Sequence, residues 1–168
     1  IPGADSVSGS LGQNLSMAVG TALAGQLDGK DYKTYVLLGD GELAEGQNWE
    51  AAMLASARKL GNLIGIVDYN QVQMCGTVEE ILPLGDLAAK FKAFGWQVYE
   101  VDGHDIQKLV ELFDALPNQP EGVPKMIIAH TVKGKGVSFM EGQAAWHGGA
   151  PNQQQWEQIQ KELGGGSL

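Results

Sequence analysis

Leu37-Leu38-Gly39-Asp40-Gly41-Glu42-Leu43-Ala44-Glu45-Gly46 closes an apolar run with an acid set between two glycines, and two more acids follow closely. The residues leading in, Thr34 to Leu38, are apolar and β-branched at intervals. They stop at Gly39, as a strand buried on both faces does. Upstream, Ser10 to Leu27 carries Leu11, Leu15, Ala18, Val19, Ala22 and Leu23 at helical spacing, which predicts a helix. Downstream, Trp49 to Leu60 places Ala52, Met53, Ala57 and Leu60 on one stripe and ends at Gly61, as a C-capped helix would. Leu63 to Asp68 reads as a second buried strand. The alternation continues with Leu87 to Phe94 as helix, Trp96 to Val101 as strand, Asp105 to Leu116 as helix and Lys125 to His130 as strand. Trp156 to Leu163 reads as a last short helix after a glycine-rich loop. Strands alternating with helices predict an α/β, doubly wound, mainly parallel sheet with helices on both faces.

The chain has 168 residues, of which 43% are hydrophobic, enough for one sizeable core. One domain over residues 1–163 is expected, followed by a flexible Gly/Ser tail at 164–168. A net charge of -9 with no Lys/Arg run argues against nucleic acid as a partner. The single Cys75 excludes an internal disulfide and a cysteine-rich zinc site. It reads as a small packing residue in a reducing compartment, which points to the cytoplasm. No apolar run approaches the ~20 residues of a membrane helix, so no membrane partner is expected. Ile1-Pro2-Gly3-Ala4-Asp5 has neither a basic region nor a signal core. The lack of an initiator Met suggests a chain that starts partway into a longer product.

In open parallel sheets, ligands bind outside the carboxyl ends of the strands. Asp40 follows one strand and Asn70 the next, and the gap fits one crossover helix with its loops, so the two ends can lie side by side. A carboxylate and an amide carbonyl are hard oxygen ligands, suited to a small octahedral cation such as Mg²⁺ that keeps sites for water and phosphate oxygens. Gly41, lacking a side chain, would let a backbone N–H approach a diphosphate oxygen, and Gly39 would permit a sharp exit from the strand. Asp-Gly and Asn are also ordinary turn formers, and each alone is more often structural.

Gly-Asp-Gly at one strand end and Asn at the next resemble the thiamine diphosphate-binding motif of the transketolase superfamily. The resemblance covers nearly the whole chain, through Gly9-Ser10-Leu11-Gly12-Gln13, Trp49-Glu50-Ala51-Ala52, Leu60-Gly61-Asn62-Leu63, Asp68-Tyr69-Asn70, Asp102-Gly103-His104-Asp105, Thr131-Val132-Lys133-Gly134-Lys135-Gly136 and Trp146-His147-Gly148. It points to the N-terminal subunit of a split transketolase. It implies thiamine diphosphate and Mg²⁺ as cofactors, with Asp40, Asn70 and the backbone carbonyl of Val72 as metal ligands. It also implies that Gly41 and Asn70 touch the diphosphate, that Gly9 and Leu11 line the ring system, and that Met74 packs on the thiazolium. Plain core packing accounts for Leu11 and Met74 as readily.

His147 resembles the family histidine that approaches the diphosphate and the substrate oxygen and assists proton transfer. Glu45 and Glu50 resemble acids at the subunit interface that couple two cofactor sites. As helix-start carboxylates they serve equally as dipole compensation. His104 reads as structural, with Asp105 as an N-cap. Lys133 and Lys135 are either phosphate neighbours or a solvated basic loop.

Three departures from the family pattern stand out. A histidine-bearing segment that precedes Gly-Ser-Leu-Gly-Gln in the family is not found here, so the front of the domain is expected to be missing. Asn14 stands where a glycine is usual, and Cys75 where an aspartate is usual. The glutamate that activates the pyrimidine belongs, in the family, to a different domain. The resemblance therefore implies a partner chain, the pyrimidine-binding transketolase C-terminal subunit, in a heterotetramer or dimerised pair. That assembly would transfer a two-carbon ketol unit between sugar phosphates, with no turnover when the partner is missing. Alternatives are a deoxyxylulose-phosphate synthase, a 2-oxoacid dehydrogenase component, or a non-catalytic assembly subunit.

Overall fold

The computed structural model of the protein describes residues 3–116 and 122–164. Strands β1 (Thr34–Gly39), β2 (Leu63–Tyr69), β5 (Gln97–Asp102) and β6 (Lys125–His130) form a four-stranded sheet in the order β1-β2-β6-β5. All three pairings are parallel, with Thr34 opposite Leu63, Gly39 opposite Asp68, and Tyr69 opposite His130. Two short strands, β3 (Val72–Gln73) and β4 (Gly76–Thr77), make a separate antiparallel hairpin.

Period-two alternation sends side chains to opposite faces. Val36, Leu38, Leu63, Val67, Met126 and Ile128 enter one core with helices α1 (Asn14–Leu27), α2 (Gly46–Ala57) and α4 (Leu87–Ala93). Ile64 and Ile127 enter the other, with Ile66, Tyr99 and Val101 packed around them and α5 (Ile106–Ala115) above, through Leu112 and Phe113. The chain steps outward from β1 through β2 to β5 and then returns to β6. That reversal puts α5 on the opposite face, as right-handed crossovers require. The doubly wound α/β sheet expected from the sequence is the fold observed. Its two faces are unequally covered: Tyr35 and Leu37 on the α5 side are 52% and 66% exposed.

Helix α2 corrects the sequence reading. Its buried stripe is Asn48, Ala51, Ala52 and Ala55, whereas Met53 is half exposed and Ala57 exposed. Gly61 is not its cap. The helix ends at Ala57, and Lys59 takes the left-handed turn (φ 54°) that lets the Leu60 N–H return to Ala55 O. Gly61 matters for space instead, since a Cβ there would lie 2.5 Å from the Gly122 nitrogen. Leu11, expected on the α1 stripe, precedes that helix and is 61% exposed. The last helix, α6, runs Gln153–Glu162. The short α3 (Val78–Ile81) follows the hairpin and carries a Thr77/Glu80 capping box. Of the expected tail, residues 165–168 lie outside the described residues.

An aromatic cluster stiffens the ground beneath the carboxyl end of β1. Phe91, fully buried, lies 5.3 Å from Trp49 and 5.6 Å from Trp96 between ring centroids. The Trp96 indole donates to Ala52 O at 2.9 Å, and the Trp49 indole donates to Leu43 O at 3.0 Å. Trp49 thus ties α2 to the turn that follows Asp40.

Candidate functional site

Because all four sheet strands are parallel, their carboxyl ends share one edge. Asp40 directly follows β1 and is 2% exposed. It caps a 3-10 turn, Gly41–Ala44, accepting the Gly41 N–H on Oδ1 at 2.7 Å. Its Oδ2 accepts the N–H of Gln71, in the loop after β2. Its own N–H donates to Asp68 O at 3.3 Å. Asp40 therefore joins the two strand ends. Burial raises its carboxyl above the ordinary range; the N–H bonds from Gln71 and Gly41 oppose that, and the Asp68 charge adds to it. Among the described residues no ion pair compensates it.

Asn70 starts the same loop. Its Nδ2 donates to Asp68 Oδ2 at 3.1 Å and its Oδ1 accepts the Val72 N–H at 2.9 Å. The second Asp68 oxygen accepts the Thr131 hydroxyl from the end of β6. Gln71 bridges the loop with φ 61°, a left-handed conformation unusual for a residue with a side chain. Gly41 and this loop are in close contact, since a Cβ on Gly41 would lie 2.9 Å from Gln73 Cβ.

Two of the glycine expectations change. Gly39 does not adopt a left-handed φ, so no special exit geometry is required there. The Gly41 N–H is committed to Asp40, so the expected diphosphate contact needs that bond to be exchanged.

The loop bearing Gly9 and Leu11 docks onto the β1 end through Glu42, whose carboxylate accepts the Gly12 N–H at 2.9 Å and the Gly39 N–H at 3.2 Å. Gly12 has φ +81°, and a Cβ there would lie 2.6 Å from Glu45 Cβ. Glu45 thus packs under this loop. Met74 sits exposed at the turn of the hairpin, and so does Cys75, which corrects its reading as a packing residue. His147 is exposed in a 3-10 turn, Ala144–His147, that packs against β3. Gly9, Leu11, Asp40, Gly41, Glu45, Asn70, Val72, Met74 and His147 thus lie on connected loops at one edge. Glu50 is exposed farther along α2, and among the described residues no hydrogen bond or ion pair joins it to them.

A cavity of about 450 Å³ flanks this edge, lined among others by Leu37, Asp68, Asn70, His104 and Lys133. His104 Nε2 accepts the Val132 N–H at 2.8 Å and Asp105 Oδ1 accepts the Lys108 N–H at 3.1 Å, so this segment has the structural bonding expected of it. Lys135 pairs with Glu141 at 3.7 Å. The sequence reading missed three participants. Glu42 is visible as an acid in the opening motif, but its long-range bond from Gly12 is not. Asp68 and His130 stand at strand carboxyl ends, the same signal that singled out Asp40 and Asn70. His130 Nε2 meets Glu100 Oε2 at 2.9 Å, and its ring packs edge-on to Tyr69.

Comparison with known proteins decides the family. Residues 1–166 match the family described as transketolase, thiamine diphosphate binding domain. The chain belongs to the transketolase N-terminal family. It is 44% identical over 163 residues to an apulose-4-phosphate transketolase subunit from Phocaeicola vulgatus, covering 97% of this chain and 58% of that protein. It is 45% identical over 161 residues to 6-deoxy-6-sulfo-D-fructose transketolase subunit SqwG of Clostridium sp. (strain MSTE9), covering 96% and 58%. The crystal structure of transketolase from Campylobacter jejuni superposes with a TM-score of 0.86 at 32% identity, over 94% of this chain and 26% of that one. The chain thus spans 58% of the length of these subunit relatives.

The residues present fit the family's cofactor. Asp40 is a buried, uncompensated carboxylate whose two oxygens each hold one N–H and retain further acceptor capacity. Asn70 Oδ1 also retains acceptor capacity beyond its bond from Val72. Among the described residues no three His, Cys, Asp or Glu side chains form a metal-binding group, so a divalent ion here would rely on mixed carboxylate, amide and carbonyl oxygens, the set that suits Mg²⁺.

Proposed function

We propose that this chain is the N-terminal subunit of a split transketolase, holding the diphosphate of thiamine diphosphate through Mg²⁺. The observation that carries the reading is Asp40: buried at the β1 end, with its carboxylate bonded to the loop that bears Asn70 and Val72. Asp40, Asn70 and the Val72 carbonyl would hold the metal, and Gly41 and Asn70 the diphosphate. Gly9, Leu11 and Met74 would line the rings. The exposure of Leu11 and Met74 favours this over core packing. Bound there, thiamine diphosphate supplies a carbon nucleophile that accepts and releases a two-carbon ketol unit.

This chain's own groups do the positioning. His147 would hold or move a proton beside the substrate oxygen, and Glu45 and Glu50 would couple two copies of the site across an interface. A C-terminal partner chain would contribute the activating glutamate in a heterotetramer. The relatives act, by their names, on apulose-4-phosphate and on a sulfofructose. A ketose with an anionic tail is therefore the substrate class proposed, in the cytoplasm.

Calorimetric titration with thiamine diphosphate tests the cofactor site. Binding that needs Mg²⁺ and falls at least a hundredfold in Asp40→Ala is expected. Absent or metal-independent binding overturns the reading. Ketol transfer by this chain alone would contradict the need for a partner.

A further inference from the structure

Glu42 is the residue the reading above leaves without a task. It is 8% exposed, and no cation pairs with it among the described residues. A buried carboxyl needs hydrogen-bond partners. Glu42 takes two, both from backbone N–H groups: Gly12 on Oε1, thirty residues away in sequence, and Gly39 on Oε2. Its own main chain is fixed as well, since Glu42 O accepts the amide of the fully buried Asn48 at 2.7 Å. The carboxylate therefore stands on a rigid footing, in the turn capped by Asp40, and reaches across to a loop that packs on Glu45 and, among the described residues, has no other hydrogen bond from residues 8–12 to anything outside residues 8–13. Gly9 has open space where a side chain would be, and Leu11 is exposed.

We infer that Glu42 is a positioning residue that clamps the Gly9–Gly12 loop to the Gly39–Gly41 turn, so that the ring-binding and diphosphate-binding parts of the site act as one body. This inference rests on the cofactor reading above. The clamp uses acceptors only. An amide in its place presents one acceptor and one donor, and so leaves one of the two backbone N–H groups facing another N–H. Whichever N–H is left unaccepted, loop and turn are no longer fastened by one group, while Asp40, Asn70 and the hairpin stay in place.

Two probes separate this role from a general weakening. Magnesium thiamine diphosphate engages both parts of the site, whereas magnesium pyrophosphate engages only the end held by Asp40. In Glu42→Gln, titration calorimetry should show thiamine diphosphate binding at least tenfold weaker and pyrophosphate binding within about twofold of the unaltered chain. Amide exchange at Gly12 should accelerate in the same variant. Glu42→Asp keeps the carboxyl group but is one carbon too short to span both amides. It should show the same selective loss, and serves if the Gln variant does not fold. Equal loss of both probes, or no loss of either, overturns the clamp. An unaltered chain that binds neither probe overturns the cofactor reading itself, and the clamp with it.

Discussion

Asp68 shows how one side chain orients others. It holds the Asn70 amide with one oxygen and the Thr131 hydroxyl with the other, which turns Asn70 Oδ1 toward the Val72 N–H. Groups that orient a metal ligand commonly matter by 10- to 100-fold in affinity. Asp68→Ala should accordingly weaken Mg²⁺-dependent thiamine diphosphate binding by about that factor, measured by titration, while far-ultraviolet circular dichroism stays unchanged. At this scale the sequence was readable where chemistry dictates residue type. Asp40 and Asn70 stand out as candidates because an oxygen donor follows each of two successive strands, and the structure brings both to one edge. Glu42 and Asp68 do not stand out, because the bonds that give them weight, from Gly12 and from Thr131, come from residues far away in sequence. Gln71 was invisible for another reason: a left-handed turn position normally announces itself by Gly or Asn.

The elements themselves followed the hydrophobic pattern closely, since β2, β6 and α4 begin where the apolar runs begin. The exceptions are instructive. The stripe of α2 was misplaced because it is built of alanines and one buried asparagine, while the larger Met53 faces outward. The β3–β4 hairpin has two residues per strand, too few for any periodicity to register. Two expected outcomes belong here. Phe91→Ala, which removes the centre of the aromatic cluster between α2 and α4, should cost about 3–5 kcal/mol in urea unfolding. Helix α6 is anchored by Glu162, which accepts the Gln158 amide at 2.7 Å and the Ser138 hydroxyl and N–H at 2.7 and 2.6 Å. These bonds, that from Gln158 foremost, hold the Glu162 carboxyl below its ordinary value of 4.5. A depressed acid stabilises the fold above its ordinary value and loses that contribution as pH falls through the lowered one. Acidification below about 4.5 should therefore lower the protection of the Ser138 amide relative to its intrinsic exchange rate at each pH, and Glu162→Gln should abolish that loss of protection.

Across the whole molecule, the candidate site draws on loops near residues 9–12, 39–42, 70–74 and 144–147, so it exists only when β1, β2 and β6 are paired. Binding and folding are then one equilibrium. Thiamine diphosphate with Mg²⁺ at a hundred times its dissociation constant should stabilise the chain by about 2.7 kcal/mol, raising its thermal midpoint, and chelation of the metal should reverse the shift. No helix among the described residues is long and apolar enough to cross a membrane. The whole chain also carries a single thiol, Cys75, exposed at the hairpin turn beside Met74. A maleimide dye thus reaches one known position with no cysteine engineered in or out, and its emission becomes an optical gauge of how firmly that turn is seated.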